Sequence, residues 1–512
     1  MMGKVRIYLT EYQDFKDAEI TYRSSESPVD KTELLEKFFT VAGMKNVKVF
    51  CQDKNSGYAL RQSKALVKDG KFNRELVRVD ERKEAVYGIE GMVGTLNRIV
   101  EYGKEKYDVT LEIRSRFDEK DKPYFLGTML ESVLQNDVKF ESIENNIAKG
   151  ELDLFGFLSV TLFCSMLKGA HESGIYKTYV RREHNDSKLR GSLDIPRHIR
   201  LNVGRNDTVA AYTTRELTHD NELNHLIMHT WKFLREQYPG AADALFYSSG
   251  RDNEFYDIIT ELKSMTAMTD MRLDRCTAKC QRPITGPFYA AYEKLRQLCL
   301  KIISYNMKAN IFGGDYENEN VGGILFYSPD LWEAYLEKRM RDTWEDMLKK
   351  DYKLQAQDER KVYSRLAGYC CGNAVFTAIQ DIRPDYVIYK KDPDTEKPVP
   401  ITVLDAKFKK LHFEQKEIKI EADDLNKLLR DMIFFGVHYG GLIFPYKAKN
   451  SGEVAAVANM ECQLSMYDKK QTVCVYCVPV PVAKGSYTEW KQAFDSSSET
   501  TLAKLRNDLV SL

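Results

Sequence analysis

The sequence predicts a multidomain protein of mixed α+β and α/β class. A β-rich N-terminal domain is expected over residues 1–155, a mainly helical middle region over 156–320, and a C-terminal α/β domain over 321–512. Three observations carry this reading. A chain of 512 residues exceeds one ordinary domain and has apolar material for separate cores. The side-chain period changes along it, from strand-like runs to helical spacing and then to an order of helix, strands, helix and strand. With 43% hydrophobic residues, 30% charged residues and 14 prolines, the composition is that of a folded protein and excludes a disordered scaffold.

In the first region, "NVKVFCQ" (46–52), "ELVRVDE" (75–81) and "YDVTLEIRSRF" (107–117) read as strands, with glycine-marked turns in "YGIEGMVG" (87–94). The middle region contains "NELNHLIMHTWKFLREQY" (221–238), whose apolar residues recur at helical spacing. The third region opens with "SPDLWEAYLEKRMRDTWEDML" (328–348), a helix started at Ser328-Pro329-Asp330 with Trp332, Leu336, Met340 and Trp344 along one face. Two strands follow, "RPDYVIY" (383–389) and "ITVLDAKFK" (401–409), then a helix in "DDLNKLLRDMIFFGV" (423–437) and a buried strand in "YGGLIFPYK" (439–447).

Charge and cysteine usage narrow the function classes. Seventy-six basic residues balance 76 acidic ones, so any nucleic-acid surface must be a local patch. The densest patch runs from Ile175 to Arg205, with eight Lys or Arg against three acids; within it Arg190, Arg197 and Arg200 are candidate DNA contacts, and a solvated face is the competing reading. Ten irregularly spaced cysteines argue against a disulfide framework. Cys276 with Cys280, and Cys474 with Cys477, are read as ordinary buried thiols; the second pair has CxxC spacing, but it lies in a strand-like run, where residues three apart face opposite sides of the sheet. With no signal-like N-terminus and no apolar run that would span a bilayer, the expectation is a cytoplasmic protein without membrane contact.

The residues that point to chemistry lie at the ends of the two strands of the third region. A period of two places Asp405 and Lys407 on one face of "ITVLDAKFK". The polar loop "KKDPDTEKPVP" (390–400) lets the strands pair antiparallel, which brings Asp385 and Asp405 to one end of the hairpin. Two adjacent carboxylates repel unless a cation lies between them. Mg²⁺ suits such a pair, taking oxygen ligands at about 2.0–2.1 Å and keeping several waters; Mn²⁺ is the alternative ion. Lys407 beside them would orient or deprotonate a water and offset phosphate charge, which fits phosphodiester hydrolysis. Glu333 and Glu337 lie one turn apart beside the apolar stripe of the preceding helix, and either would add a carboxylate. Lys427 and Arg430 on the following helix are further candidate phosphate contacts.

Pro384-Asp385, Asp405-Ala406-Lys407 and the preceding Glu-bearing helix resemble the PD-(D/E)xK nuclease superfamily, whose core is a restriction-endonuclease-like α/β fold. The ordered set "LRGSLDIPRHIRLN" (189–202), "TTRELTHDNELNHLIMHTWKFL" (213–234), "SPDLWEAYLEKRM", "RPDYVIY", "VLDAKFK" and "GGLIFPYK" resembles the McrC family, nuclease subunits of McrBC-type modification-dependent restriction systems. "GMVGTLN" (91–97) and "VTLEIRSRF" (109–117) are similar to that family's N-terminal domain. The resemblance implies metal-ligand roles for Asp385, Asp405 and the Ala406 carbonyl, catalytic assistance by Lys407, and a helix carboxylate from Glu333. Family members often carry Gln in the helix after the D-x-K strand, where this chain has Asn426 as its nearest amide.

No GxxxxGK[ST] stretch occurs in the 512 residues, so a motor would come from another polypeptide. The resemblance implies an AAA+ GTPase ring of the McrB type, engaged by residues 1–155, and DNA, modified or not, as substrate. Three readings stay open: the nuclease subunit of such a system, a stand-alone nuclease, and a non-catalytic activator of an AAA+ NTPase.

Overall fold

Alternation of apolar and polar residues in the first third of the chain becomes six strands of a seven-stranded sheet in the computed structural model. The structure describes residues 3–22, 30–52, 60–103, 105–119, 122–133, 154–205, 208–239, 242, 254–266, 270–310, 321–356, 360–365, 377–409, 411–414, 417–447, 460–466 and 469–511. The sheet runs Glu19–Tyr22, Gly3–Thr10, Glu105–Arg114, Met92–Tyr102, Gly322–Tyr327, Lys48–Gln52, Leu60–Ala65. Gly3–Thr10 lies parallel to Glu105–Arg114 along its whole length, and Val5, Ile7 and Leu9 are buried with Val109, Leu111 and Ile113.

The chain forms two compact units. One comprises Met1–Thr95, Ile99–Asn136 and Leu325–Leu512; the other comprises Leu96–Arg98 and Asp137–Ile324. The pattern reading draws its boundaries near 155 and 320, and much of the chain around them, residues 134–153 and 311–320, lies outside the described residues.

The first unit also carries a six-stranded mixed sheet, ordered Tyr352–Ala356, Tyr386–Lys391, Pro398–Ala406, Tyr439–Lys447, Lys469–Val480, Met460–Met466. Tyr386–Lys391 pairs antiparallel with Pro398–Ala406, placing Tyr386 opposite Leu404, and Pro398–Ala406 runs parallel to Tyr439–Lys447. The helix Ala422–Phe435 lays Leu428 and Met432 on one face, against Val387, Val403, Leu442 and Val475. It ends at Gly436, whose φ of 69° is the left-handed conformation that lets a chain leave a helix and that glycine adopts without strain. The opposite face carries the helix Tyr487–Val510, whose Asp508 accepts a hydrogen bond from Tyr476 at 2.7 Å.

The expected helix at 328 spans Ser328–Thr343, with Trp332, Leu336, Met340 and Trp344 all buried. Its start differs in one detail. Ser328 does not cap the helix; its hydroxyl donates to Glu11 Oε2 at 2.5 Å, and Ser115 donates to the other Glu11 oxygen at 2.9 Å. A buried carboxylate thereby joins the first strand to the helix of the C-terminal region.

The second unit has the helices Leu154–His171, Glu222–Gln237, Glu254–Met265, Leu273–Lys279 and Ala290–Asn310. It also has a three-stranded antiparallel sheet, ordered Thr178–Asp186, Ala210–Thr218, Ser192–Leu193, and a short helix Ile195–Leu201. The sheet departs from the mainly helical expectation. Thr178–Asp186 buries none of its residues, so its sequence lacks the apolar alternation by which a strand is recognised.

Cys474 and Cys477 are buried on the strand Lys469–Val480, and burial pushes the Cys477 thiol up to about 12. Cys276 and Cys280 are buried too, with burial raising Cys276 to about 11. Among the described residues no helix is long and apolar enough to cross a membrane.

Candidate active site

Antiparallel pairing of Tyr386–Lys391 with Pro398–Ala406 brings Asp385 and Asp405 together, as the hairpin geometry requires. Asp385 Oδ2 accepts the Ala406 N–H at 2.7 Å, so a backbone amide of one strand fixes the carboxylate preceding the other. Asp405, 1% exposed, meets the Lys407 ammonium at Oδ2 and the Lys427 ammonium at Oδ1. Lys427 Nζ also lies 3.6 Å from Asp385 Oδ1, bridging the pair. Oδ2 of Asp405 is buried, and the Lys407 ammonium in direct contact with it offsets its charge.

Burial and charge drive the two carboxyls apart. Asp385 is held well above the usual carboxylate range, first by burial and then by the negative charges of Asp405 and Glu333. For Asp405 burial acts in the same direction, but the Lys427 and Lys407 ammoniums outweigh it and hold the group below its ordinary value. Burial opposes the charge on Lys427, and the two carboxylates overcome that and stabilise its ammonium form.

Glu333 is half-buried on the helix Ser328–Thr343, and its charge is felt at Asp385. The Tyr386 hydroxyl donates to the Glu333 carbonyl at 2.5 Å, tying that helix turn to the strand that follows Asp385. Glu337 is held by Arg341 one turn on, at 2.7 Å. Asn426 is exposed; from the same helix it is Lys427 that reaches the carboxylates. Arg430 pairs with the buried Asp431 at 2.8 Å. Glu333, Asp385, Asp405, Ala406, Lys407 and Lys427 are thus gathered at one place.

Arg190, Arg197 and Arg200 belong to the other compact unit. Arg197 is 12% exposed and is spent internally, on Glu183 at 3.2 Å and on the His184 carbonyl at 2.6 Å. Arg190 and Arg200 are exposed.

Two residues of the site escaped the sequence reading. Asp424, buried in the first turn of the helix Ala422–Phe435, receives Lys407 Nζ at 3.2 Å and Lys409 Nζ at 2.9 Å, and Lys409 also meets Glu421 at 2.5 Å. Arg116 donates to the carbonyl of Phe408, between the two lysines. In the sequence Asp423 and Asp424 carry only the signal of acids favoured at a helix N-terminus. Among the described residues no group of three or more His, Cys, Asp or Glu side chains is placed to hold a metal ion.

Residues 89–445 match the family model of the McrBC 5-methylcytosine restriction system component. No curated protein matches the chain. Among solved structures, the chain is similar to a chain of a refined half-complex from the tetradecameric assembly of Thermococcus gammatolerans McrB AAA+ hexamers with bound McrC. That match has 14% identity and a TM-score of 0.48, and covers 98% of this chain and 100% of that one. A second, to the Thermococcus gammatolerans McrBC complex, has 16% identity and a TM-score of 0.30, covering 66% of this chain and 88% of that one. Since the family match takes in well over half of the sequence, the chain belongs to the McrBC 5-methylcytosine restriction system component family.

Proposed function

We propose that the protein is the Mg²⁺-dependent DNA endonuclease subunit of a McrBC-like restriction system, acting with an AAA+ NTPase partner. The observation that carries this reading is the pairing of Asp385 and Asp405 with Lys407 at the strand ends. The donor set fits a hard divalent ion. It offers two buried carboxylates side by side, Asp405 favoured in its charged form, with the Glu333 charge nearby. Asp385, Asp405 and the Ala406 carbonyl would hold Mg²⁺ or Mn²⁺, with Glu333 as helix carboxylate; the ion would supply an acidified water and offset charge on a phosphate.

The protein's own groups do the rest. The Ala406 amide orients Asp385, and Asp424 holds Lys407 at Asp405. Lys407 would then position the attacking water or stabilise charge developing on the phosphate. No phosphate-binding loop occurs in these 512 residues, so nucleotide-driven movement would come from a ring of the McrB type, which residues 1–155 would engage.

Purified protein is incubated with plasmid DNA carrying or lacking 5-methylcytosine, with Mg²⁺ or EDTA, with and without the candidate NTPase. Cleavage requiring Mg²⁺ and the partner is expected. Loss of about 100-fold or more is expected in Asp385→Ala, Asp405→Ala and Lys407→Ala. Wild-type products from Asp405→Ala would overturn the site, and full cutting without a partner would make this a stand-alone nuclease.

A further inference from the structure

The second compact unit contains a cleft of about 840 Å³, formed by the start of the strand Thr178–Asp186, the first turn of the helix Glu222–Gln237, the end of the helix Leu273–Lys279 and residues 282–286. Six cations line it, Lys177, Arg181, Arg275, Lys279, Arg282 and Arg296, against one acid, Glu222. In a chain whose charges balance overall, that is a concentrated positive field.

Two of the cations are spent internally. Arg296 is buried and chelated by Glu293 at 2.5 and 2.7 Å, and Arg275 stands 3.7 Å from Glu222. Lys177, Lys279 and Arg282 are exposed, and Arg181, 65% exposed, stands 3.8 Å from Asp194. The floor beneath them is fixed. The Tyr176 carbonyl accepts from Asn221 and Asn224 at 3.2 and 3.0 Å, and its ring meets Tyr289 edge-on at 4.8 Å between centroids. At the rim Tyr179, 69% exposed, stands opposite Leu217, 54% exposed, on the neighbouring strand.

We propose that this cleft docks the phosphate backbone of DNA, with a base or sugar resting on Tyr179 and Leu217. Phosphates meet cations brought from three separate elements onto a preset floor, which yields affinity and register without reading sequence. Exposed aromatic and aliphatic faces beside such a track hold an unpaired nucleotide by stacking. The inference rests on the proposed nuclease reading and gives that enzyme a DNA-holding surface separate in sequence from Asp385 and Asp405.

The test uses the full chain, without divalent metal, and fluorescence anisotropy of labelled single-stranded and duplex DNA at several salt concentrations. Lys279→Glu with Arg282→Glu is compared with Lys68→Glu with Lys71→Glu, the same charge change on an exposed two-stranded ribbon elsewhere. The cleft variant should weaken DNA binding by about tenfold or more and reduce the slope of log affinity against log salt by about two. The ribbon variant should change affinity less than about twofold. Tyr179→Ala should weaken single strands more than duplex. Equal affinity and slope in the two charge-reversed proteins would overturn the proposal, as would poly-glutamate binding that is lost in the cleft variant while DNA binding stays intact. Binding without metal is independent of cleavage, so wild-type binding that fails in the cleft variant, in a protein that never cuts, would remove the nuclease reading and keep this one.

Discussion

Asp385 and Asp405 are chemically alike in the sequence and opposite in the fold. A reading from spacing alone treats them as repelling carboxylates whose removal relieves strain. The structure divides that expectation. Asp385→Asn keeps an acceptor for the Ala406 N–H and removes a charge disfavoured by burial, Asp405 and Glu333, so thermal stability should hold or rise. Asp405→Ala strips a partner from two partly buried ammoniums and should cost on the order of 2 kcal/mol. Calorimetry of the two metal-free variants decides it; a more stable Asp405→Ala would show that the lysines do not depend on this carboxylate. Asp424→Asn would loosen Lys407 without touching the carboxylate pair, lowering kcat more than it raises KM, with partial rescue by Asp424→Glu. Asp118, elsewhere in the unit, gives a pH prediction. Burial holds its carboxyl well above the usual range, against the opposing backbone hydrogen bonds of Phe125, at 2.7 Å, and Leu126. Its protonated form is favoured by the fold, so its contribution is full below its unfolded value of about 3.8 and is lost as pH rises through the folded one. Asp118→Asn should flatten the decline of melting temperature above that pH; an unchanged slope would assign the decline to other groups.

At the scale of elements, the legible parts of the sequence were those whose one face is buried. The stripe Trp332, Leu336, Met340, Trp344 and the strand "YGGLIFPYK" are found as read, because each presents an uninterrupted apolar surface to a core. Asp405 beside Lys407 was readable because the strand period is strict. Lys427 is singled out by the sequence as a phosphate contact, but its ion pairs with the carboxylates, and the place of Asp424 altogether, are not readable, because they depend on how the helix Ala422–Phe435 lands on the sheet, and no local spacing encodes that. The strand Thr178–Asp186 was missed for the complementary reason, having no buried face. Gly440 registers the helix landing indirectly, and Gly441 registers the packing of Leu404 and Tyr476. A Cβ on Gly440 would stand 2.4 Å from the Met432 sulfur, and one on Gly441 would stand 2.8 Å from Leu404 and 3.1 Å from Tyr476. Gly441→Val should therefore destabilise the sheet by about 1–3 kcal/mol through overpacking. Urea unfolding measures this, and a variant as stable as wild type would mean that Leu404 and Tyr476 yield freely.

At the scale of the whole molecule, residues 1–155 pose a problem that their sequence does not disclose. Read as an independent partner-binding domain, they invite deletion as the test of docking. Yet Glu11 bonds Ser328, Phe125 stacks on Trp332 at 6.1 Å between centroids, Arg116 holds the Phe408 carbonyl, and Gly322–Tyr327 lies in the sheet otherwise built from the N-terminal strands. Removing them would expose the helix that carries Glu333 and free the backbone beside Lys407. A loss of cleavage would then report unfolding of the site, whatever the partner does. The informative experiment keeps the chain whole and disables only chemistry. Asp405→Ala leaves the N-terminal strands untouched, so it should stimulate the NTP hydrolysis of the candidate ring as strongly as wild type while failing to cut DNA. The comparison is of NTPase rate against concentration of each protein, with circular dichroism showing both folded. Equal stimulation would separate ring engagement from the carboxylate pair and is the outcome that docking by residues 1–155 requires. If Asp405→Ala folds but fails to stimulate, ring activation runs through the carboxylate pair itself, and the assignment of docking to residues 1–155 falls.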